Sequence, residues 1–187
     1  MEMFKKTLLQ GLTAQLVSLT IDVFAGLGLA FMRGSLEELP GMLIMVPAFL
    51  EMRGNIGGTL ASRLGSGLHM GIIEPKLKMS KELSQNVMGS FALNVLESAV
   101  VGLLAHFMCV IFGFKSAGLL TLFLLALIAG VMSNVILMVI TIVFAIKAYQ
   151  KGLDPDIVMG PYVTTLGDLV SIPCLFLASL VLLSVGL

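Results

Sequence analysis

Five long apolar stretches dominate the pattern of hydrophobic and polar positions along the chain, and short polar segments separate them. A helix that crosses a membrane needs roughly 20 mostly apolar residues, and each stretch reaches that length. The pattern predicts membrane-spanning helices over residues 7–32, 39–68, 83–112, 117–148 and 157–187. The connections between them are too short to separate domains. We therefore predict one domain, residues 1–187, with an all-α integral membrane fold, a bundle of five transmembrane helices.

Composition strengthens the membrane assignment. Of the 187 residues, 58% are hydrophobic and only 12% are charged, whereas soluble domains carry about 25% charged residues. The formal net charge is zero, so nothing indicates a nucleic-acid partner. The two cysteines, Cys109 and Cys174, lie in apolar runs without a Cys/His cluster, which gives no sign of a zinc site or a disulfide framework. The expected surroundings are a lipid bilayer.

Basic residues are distributed unevenly over the predicted connections and helix ends. In membrane proteins the cytoplasmic segments carry an excess of Lys and Arg. Five spans leave only Arg33 and Lys115 on the side opposite the N-terminus. The side of the N-terminus carries Lys5, Lys6, Arg63, Lys76, Lys78, Lys81, Lys147 and Lys151. We therefore expect a multi-pass protein of the plasma membrane with a cytoplasmic N-terminus and an external C-terminus.

Asp168 is the first of several ionisable residues at predicted membrane depth. A charge there costs roughly 2.5–3.5 kcal/mol on insertion scales, so it is a functional candidate by default. Thr164 and Thr165 precede Asp168 by four and three residues and share its helix face, and Pro161 frees a backbone carbonyl nearby. Such hard oxygen ligands suit Mg²⁺ or Ca²⁺. The alternative is a protonated Asp168, or one hydrogen-bonded between helices.

A polar stripe also runs along the second predicted helix. Glu51, Asn55 and Thr59 are four residues apart, and Ser62 follows three residues later. Glycines between them allow close helix packing or a break that lines a pore. The alternative is purely structural packing, with Glu51 paired to Arg53. Residues two apart on a helix do not face each other, and we favour a structural role for Arg53.

The remaining helices contribute further polar positions. Asp22 lies in the first helix and is a candidate for direct cation contact. The other candidates line the pore or hydrogen-bond between helices, and they are Asn86, Asn94 and Glu97 of the third helix and Asn134 of the fourth. At predicted membrane depth the helices carry four acidic side chains and one basic side chain. This net negative charge favours a cation over an anion as the transported ion. Because Mg²⁺ keeps several waters, one or two carboxylates with neutral oxygens suit it.

Two motifs resemble the MgtE divalent-cation transporter family, and most closely its branch of animal magnesium-transporting solute carriers. The first motif is the 47–71 run, which includes Gly54-Asn55 and the segment 61–64. The second comprises Asp154-Pro155-Asp156 and the run 161–168, which ends in Gly167-Asp168. The resemblance covers nearly the whole chain.

The resemblance implies a Mg²⁺ pore where two five-helix units meet. It makes Asp168 a principal ion-binding carboxylate and places Asn55 near the pathway. With the reasoning above, the predicted metal-contacting set is Asp168, Asp22, Asn55, Thr165, Thr164 and Glu51. This chain resembles one such unit, so a homodimer is expected, because a two-fold axis would duplicate each oxygen ligand. Bacterial members place a large cation-sensing domain before the membrane part, and about six residues precede the first helix here. A channel closed by its own helices and a carrier coupled to Na⁺ or H⁺ both remain open.

Other classes of function remain as alternatives. A carrier for Mn²⁺, Co²⁺ or Zn²⁺ would favour His or Cys in the pathway, and His106, Cys109 and Cys174 fall outside both motifs. An intramembrane enzyme would need a catalytic constellation, for which only the pair Asp22 and Asp168 offers itself. A structural subunit would have no need of carboxylates at membrane depth.

Overall fold

The structure, a computed structural model, is all-helical in the part that it describes. It describes the backbone of residues 2–152 and 155–187, and their side chains except those of residues 2–11, 13, 14, 155–158 and 161. The helices are α1 (Glu2–Phe31), α2 (Arg33–Glu38), α3 (Met42–His69), α4 (Lys81–Ile111), α5 (Leu119–Gln150) and α6 (Pro155–Ser184). The five long helices begin and end within five residues of the predicted segments, whereas the short α2 lies where a connection was predicted.

The helices pack around α5 and the buried side of α3. Helix α3 contacts α4, α5 and α6, while α5 contacts α4 and α6 as well. Helix α1 lies at the edge of the bundle, mainly against α6. The side chains of Phe49, Leu122, Leu125 and Ala129 are fully buried at the centre. Helix α6 thus lies between α1 and α3, and this arrangement brings distant parts of the sequence together.

Hydrogen bonds between connections define the two ends of the bundle. The Gln150 side chain donates to the Pro75 carbonyl at 2.7 Å, which ties the end of α5 to the connection between α3 and α4. At the other end the backbone N–H of Ala117 donates to the Pro40 carbonyl, also at 2.7 Å. The connections carrying Lys76 and Lys151 therefore share one end, as the predicted charge distribution requires.

Within the described residues, length and composition identify three helical segments that could cross a membrane. They are Lys81–Ile111, Leu119–Gln150 and Tyr162–Ser184, and a shorter apolar segment covers Gln15–Phe31. Helix α3 has 28 residues, but the polar side chains of its second half lower its hydropathy. An all-α fold with apolar, membrane-compatible helices is therefore observed among the described residues. The count of five spans and the orientation stay predictions.

Part of the predicted second motif lies outside the description. The side chains of Asp154-Pro155-Asp156 and of Pro161 are outside the described residues, and so are those of Lys5 and Lys6. The described part of the motif begins at Tyr162 and includes Asp168.

Candidate cation-binding site

The carboxylate of Asp168 interacts electrostatically with carboxylates from two other helices. Asp168 of α6 is close enough to Asp22 of α1 and to Glu51 of α3 for their charges to interact. Asp168 and Asp22 are half-buried, whereas Glu51 is exposed. The Oδ1 atom of Asp22 is buried and has no hydrogen-bond partner among the described residues. Like charges repel, so the surroundings of Asp168 favour a cation there, although the three carboxylates are not close enough to hold one ion together.

Close helix packing brings these carboxylates together. A Cβ atom at Gly57 would lie 2.5 Å from Val163 Cγ1, and one at Gly28 would lie 2.8 Å from Ile172 Cγ2. Only glycine permits α3 and α1 to approach α6 this closely. The glycines beside the predicted polar positions therefore set the distance between the acid-bearing helices.

The predicted neutral ligands are divided between two environments. Asn55 and Thr164 are exposed, while Thr165 is 3% exposed and faces the helix core. A Cβ atom at Gly54 would lie 3.3 Å from Thr164 Cγ2, so Thr164 packs directly against α3 beside Asn55. The Thr164 hydroxyl donates to the Gly160 carbonyl at 3.2 Å. The two threonines, predicted to share one face with Asp168, thus have different surroundings.

The polar residues of α3 lie on its exposed face, where Asn55 and Thr59 border a cleft toward α4. We call Glu51, Asn55, Thr59, Ser62 and Ser66 the α3 polar stripe, and all five are exposed. The opposite side of α3 is buried against α4, α5 and α6.

Arg53 is buried inside the bundle and joins α3 to α5. The residue is 1% exposed, and Nη1 donates to the Gly130 carbonyl at 2.9 Å and to Ser133 Oγ at 3.3 Å. Its Cζ lies 5.5 Å from the centre of the Phe49 ring, within cation–π distance. No hydrogen bond joins Arg53 to Glu51 among those described. These contacts agree with the structural role predicted for Arg53.

The other predicted polar residues fall into two groups: one is buried inside the bundle, and the other lines a cleft. Asn94 is fully buried and donates to the Gly130 carbonyl at 3.2 Å, and Asn134 is 4% exposed. Asn86 and Glu97 instead line a cleft between α3 and α4. Arg63 and Ser90 also line this cleft, and Arg63 continues the four-residue spacing of Glu51, Asn55 and Thr59. Among the described residues, no three His, Cys, Asp or Glu side chains could hold a metal ion together.

The contact between Gly57 and Val163 gives a direct test of helix spacing. We expect Gly57→Ala to lower the stability of the folded protein by about 1–3 kcal/mol, because the rigid Val163 side chain cannot yield and α3 must move away from α6. The thermal unfolding midpoint in detergent measures the effect. Gly58→Ala is the matched control, since nothing lies within 4 Å of a Cβ there. In a Val163→Ala background the effect of Gly57→Ala should be smaller, because the contact is then absent. Equal midpoints for the two glycine variants would contradict the close contact.

The sequence matches the model of a known protein family. The family model MgtE, described as "Divalent cation transporter", matches residues 46–178. This region contains Glu51, Asn55, Thr164 and Asp168, while Asp22 lies before it.

Several curated proteins are similar to this chain. Solute carrier family 41 member 2 of Xenopus laevis is 32% identical over 153 residues, which cover 74% of the chain and 25% of the relative. Member 3 of Rattus norvegicus is 28% identical over 149 residues, 76% of the chain and 31% of the relative. Member 2 of Homo sapiens is 32% identical over 153 residues, with 74% and 25% covered. The chain thus spans between a quarter and a third of these relatives. No solved structure matches the sequence.

Proposed function

Because the chain belongs to the MgtE family of divalent cation transporters, we propose that it passes Mg²⁺ across a membrane. The pathway is a carboxylate-lined pore at the interface of two five-helix units. The family consists of transporters and not of enzymes. The chain covers 25% and 31% of the length of relatives that it matches. The transport activity of this chain is therefore a proposal and is not carried over from the whole relatives.

The observation that carries the proposal is that Asp168 interacts electrostatically with Asp22 and with Glu51, acids of two other helices. The charge of Asp168 is repelled by both of the others, and a divalent cation beside Asp168 would relieve that repulsion. Mg²⁺ usually keeps several waters and binds through one or two carboxylates. A site with separated carboxylates and neighbouring hydroxyl and amide groups, such as Thr164 and Asn55, suits an ion that passes with part of its water shell.

A second copy of the chain is the proposed neighbour of the α3 polar stripe. The stripe is exposed on this chain, and a two-fold axis along it would place the same five side chains on both sides of the pathway. Glu51 and Asn55 would then each occur twice along the pore. The homodimer thereby removes polar side chains from contact with lipid and supplies more oxygen ligands.

The proposed topology follows from the charge distribution. All five long helices span the membrane, and α3 does so despite its polar stripe because that stripe lines the pore and not the lipid. The end that carries Lys76, Lys78, Lys81 and Lys147 faces the cytoplasm. The membrane is the plasma membrane.

The function is tested by ion uptake into liposomes that contain the purified protein. With a Mg²⁺ gradient and no other ion gradient, we expect Mg²⁺ to accumulate inside, reported by an enclosed Mg²⁺-sensitive dye. Mn²⁺, Co²⁺ and Zn²⁺ serve as competing ions in the outer buffer. Uptake of one of these ions without Mg²⁺ uptake would replace the proposed substrate, and uptake of none by folded protein would contradict the proposal.

Cross-linking tests the homodimer directly. Cysteines placed singly along the α3 polar stripe, at Asn55, Thr59 and Ser62, should react with a short thiol cross-linker in membranes and give a product of twice the chain mass. Val139→Cys is the matched control, because it is exposed on α5, and α5 packs against the buried side of α3. The native cysteines are buried and contribute little background. Equal cross-linking of stripe and control positions would contradict the interface.

A further inference from the structure

The connection between α3 and α4, residues 70–80, exposes large apolar side chains beside lysines. Leu77 is 62% exposed and Met79 is 64% exposed. Lys78 lies between them, and Lys81 is the first residue of α4; both lysines are exposed. A lysine can lay its apolar stem along such a surface and keep its charge in water, which is why lysines are favoured at membrane interfaces.

Hydrogen bonds and one buried side chain hold this connection in place. Ile73 is 3% exposed and packs on Gly67 of α3, where a Cβ atom would lie 2.7 Å from Ile73 Cδ1. The Pro75 carbonyl accepts a hydrogen bond from the Gln150 side chain at the end of α5. The Ser80 hydroxyl accepts one from a backbone N–H in the first turn of α4. The exposed apolar side chains therefore belong to a segment that is anchored on both sides.

The charges of this surface favour an anionic neighbour. The Lys76 amino group lies 3.1 Å from the carboxylate of Glu74, so these two charges compensate each other. Glu82 lines one pocket with Lys78, but it also lies in the first turn of α4, where a negative charge interacts favourably with the helix N-terminus. Lys78 and Lys81 make no ion pair among the described residues. Their amino groups are thus available to phosphate groups from outside the chain.

We propose that residues 76–81 bind anionic phospholipids of the adjoining leaflet, with Leu77 and Met79 immersed among the headgroups and Lys78 and Lys81 against lipid phosphates. The inference rests on the proposed topology and not on which ion is transported. Helix α4 is long and apolar enough to cross a membrane and begins at Lys81, so the connection ends where α4 enters the bilayer. Lysines at this depth are attracted to the negative surface of an anionic leaflet.

The connection at the opposite end of the bundle provides a comparison. Residues 112–118 join α4 to α5, and Phe112 and Phe114 are exposed there. Lys115 is the one basic residue of that segment. Both connections therefore offer apolar side chains to the interface, whereas the α3–α4 connection also carries several lysines. We expect apolar immersion at both ends and selection of anionic lipid at the α3–α4 connection.

Fluorescence quenching by spin-labelled lipids tests the proposal without requiring transport. In a background with Cys109→Ala and Cys174→Ala, Leu77→Cys carries an environment-sensitive fluorophore. The protein is placed in phosphatidylcholine vesicles with increasing amounts of spin-labelled phosphatidylglycerol or spin-labelled phosphatidylcholine, in buffer without Mg²⁺. Half-maximal quenching should need about fivefold less of the anionic lipid, and high salt should reduce the difference. Lys78→Gln combined with Lys81→Gln should remove the preference and keep the quenching by phosphatidylcholine.

Phe114→Cys with the same fluorophore is the matched control, and the two lipids should quench it almost equally. Equal quenching of the Leu77→Cys label by both lipids, or a preference that survives the two Lys→Gln substitutions, would overturn the inference. Quenching at Phe114→Cys alone would mean that protein or water covers the α3–α4 connection, which overturns the inference and leaves the topology intact. Quenching at neither position would contradict the topology as well. If Leu77→Cys does not fold, Met79→Cys reports on the same surface.

Discussion

Mg²⁺ uptake into liposomes should fall to the level of empty liposomes when Asp168 is replaced with Asn. The variant keeps the shape of the side chain and removes its charge. Asp168 lies on the helix between those of Asp22 and Glu51, and its charge interacts with both of theirs. Neutralising Asp168 therefore leaves the cation with one fewer charged ligand.

Folding of the Asp168→Asn variant should be unaffected or slightly improved. Removing one of three like charges relieves repulsion, and such repulsion is destabilising. The thermal unfolding midpoint and the cross-linked dimer fraction measure this, beside Glu74→Gln as the control. Glu74 is an exposed carboxylate that pairs with Lys76 in a connection, so its neutralisation should change neither uptake nor folding. Normal Mg²⁺ flux through Asp168→Asn would refute the central role of this carboxylate.

The long helices could be predicted from the sequence because their signal is local. A run of apolar residues long enough to cross a bilayer has few other interpretations, and the observed helices follow the predicted segments closely. Helix α2 was missed because its six residues, RGSLEE, contain one apolar side chain and give no periodic pattern. Short helices in connections depend on how the chain must turn between larger elements.

The candidate site could be predicted only in part. Each acid was visible as an ionisable residue at membrane depth, but the meeting of Asp22 with Asp168 depends on α1 packing against α6, which no local pattern encodes. The division between Thr164 and Thr165 likewise depends on which side of α6 faces α3. The hydrogen-bond partners of Arg53 could not be predicted. Every residue has a backbone carbonyl, so the sequence does not show that the carbonyl of Gly130 is the acceptor.

These packing details depend on small residues, and the pattern of polar positions does not reveal them. Gly130 accepts hydrogen bonds from Arg53 and Asn94, and a Cβ atom at Gly130 would collide with Ser98 Oγ. The glycine lets α4 approach α5 closely enough for its carbonyl to be reached from two helices. Glycine thus sets the spacing of the acid-bearing helices and also that of α4 and α5. In the sequence alone, glycine is recognised only as a residue of low helix propensity.

Arg53→Ala should destabilise the folded protein by roughly 2–4 kcal/mol, since a hydrogen bond to a charged group contributes about 1.5–3 kcal/mol and the truncation leaves a cavity. The hydrogen bonds lost are those to the Gly130 carbonyl and Ser133 Oγ. The thermal unfolding midpoint in detergent measures the effect. Arg63→Ala is the matched control on the same helix, because Arg63 is exposed and surface substitutions usually change stability by less than about 0.5 kcal/mol.

Arg53→Met separates the volume of the side chain from its hydrogen bonds. Methionine fills most of the space but cannot donate to α5, and it also removes Nε and Nη2, two buried donors without a partner among the described residues. Replacing a buried charge with an apolar side chain of similar size is often tolerated. We therefore expect the midpoint of Arg53→Met to lie between those of Arg53→Ala and the unchanged protein. An Arg53→Ala midpoint equal to that of Arg63→Ala would mean that the hydrogen bonds of Arg53 do not hold α3 to α5, and the two helices would then be joined by apolar packing alone.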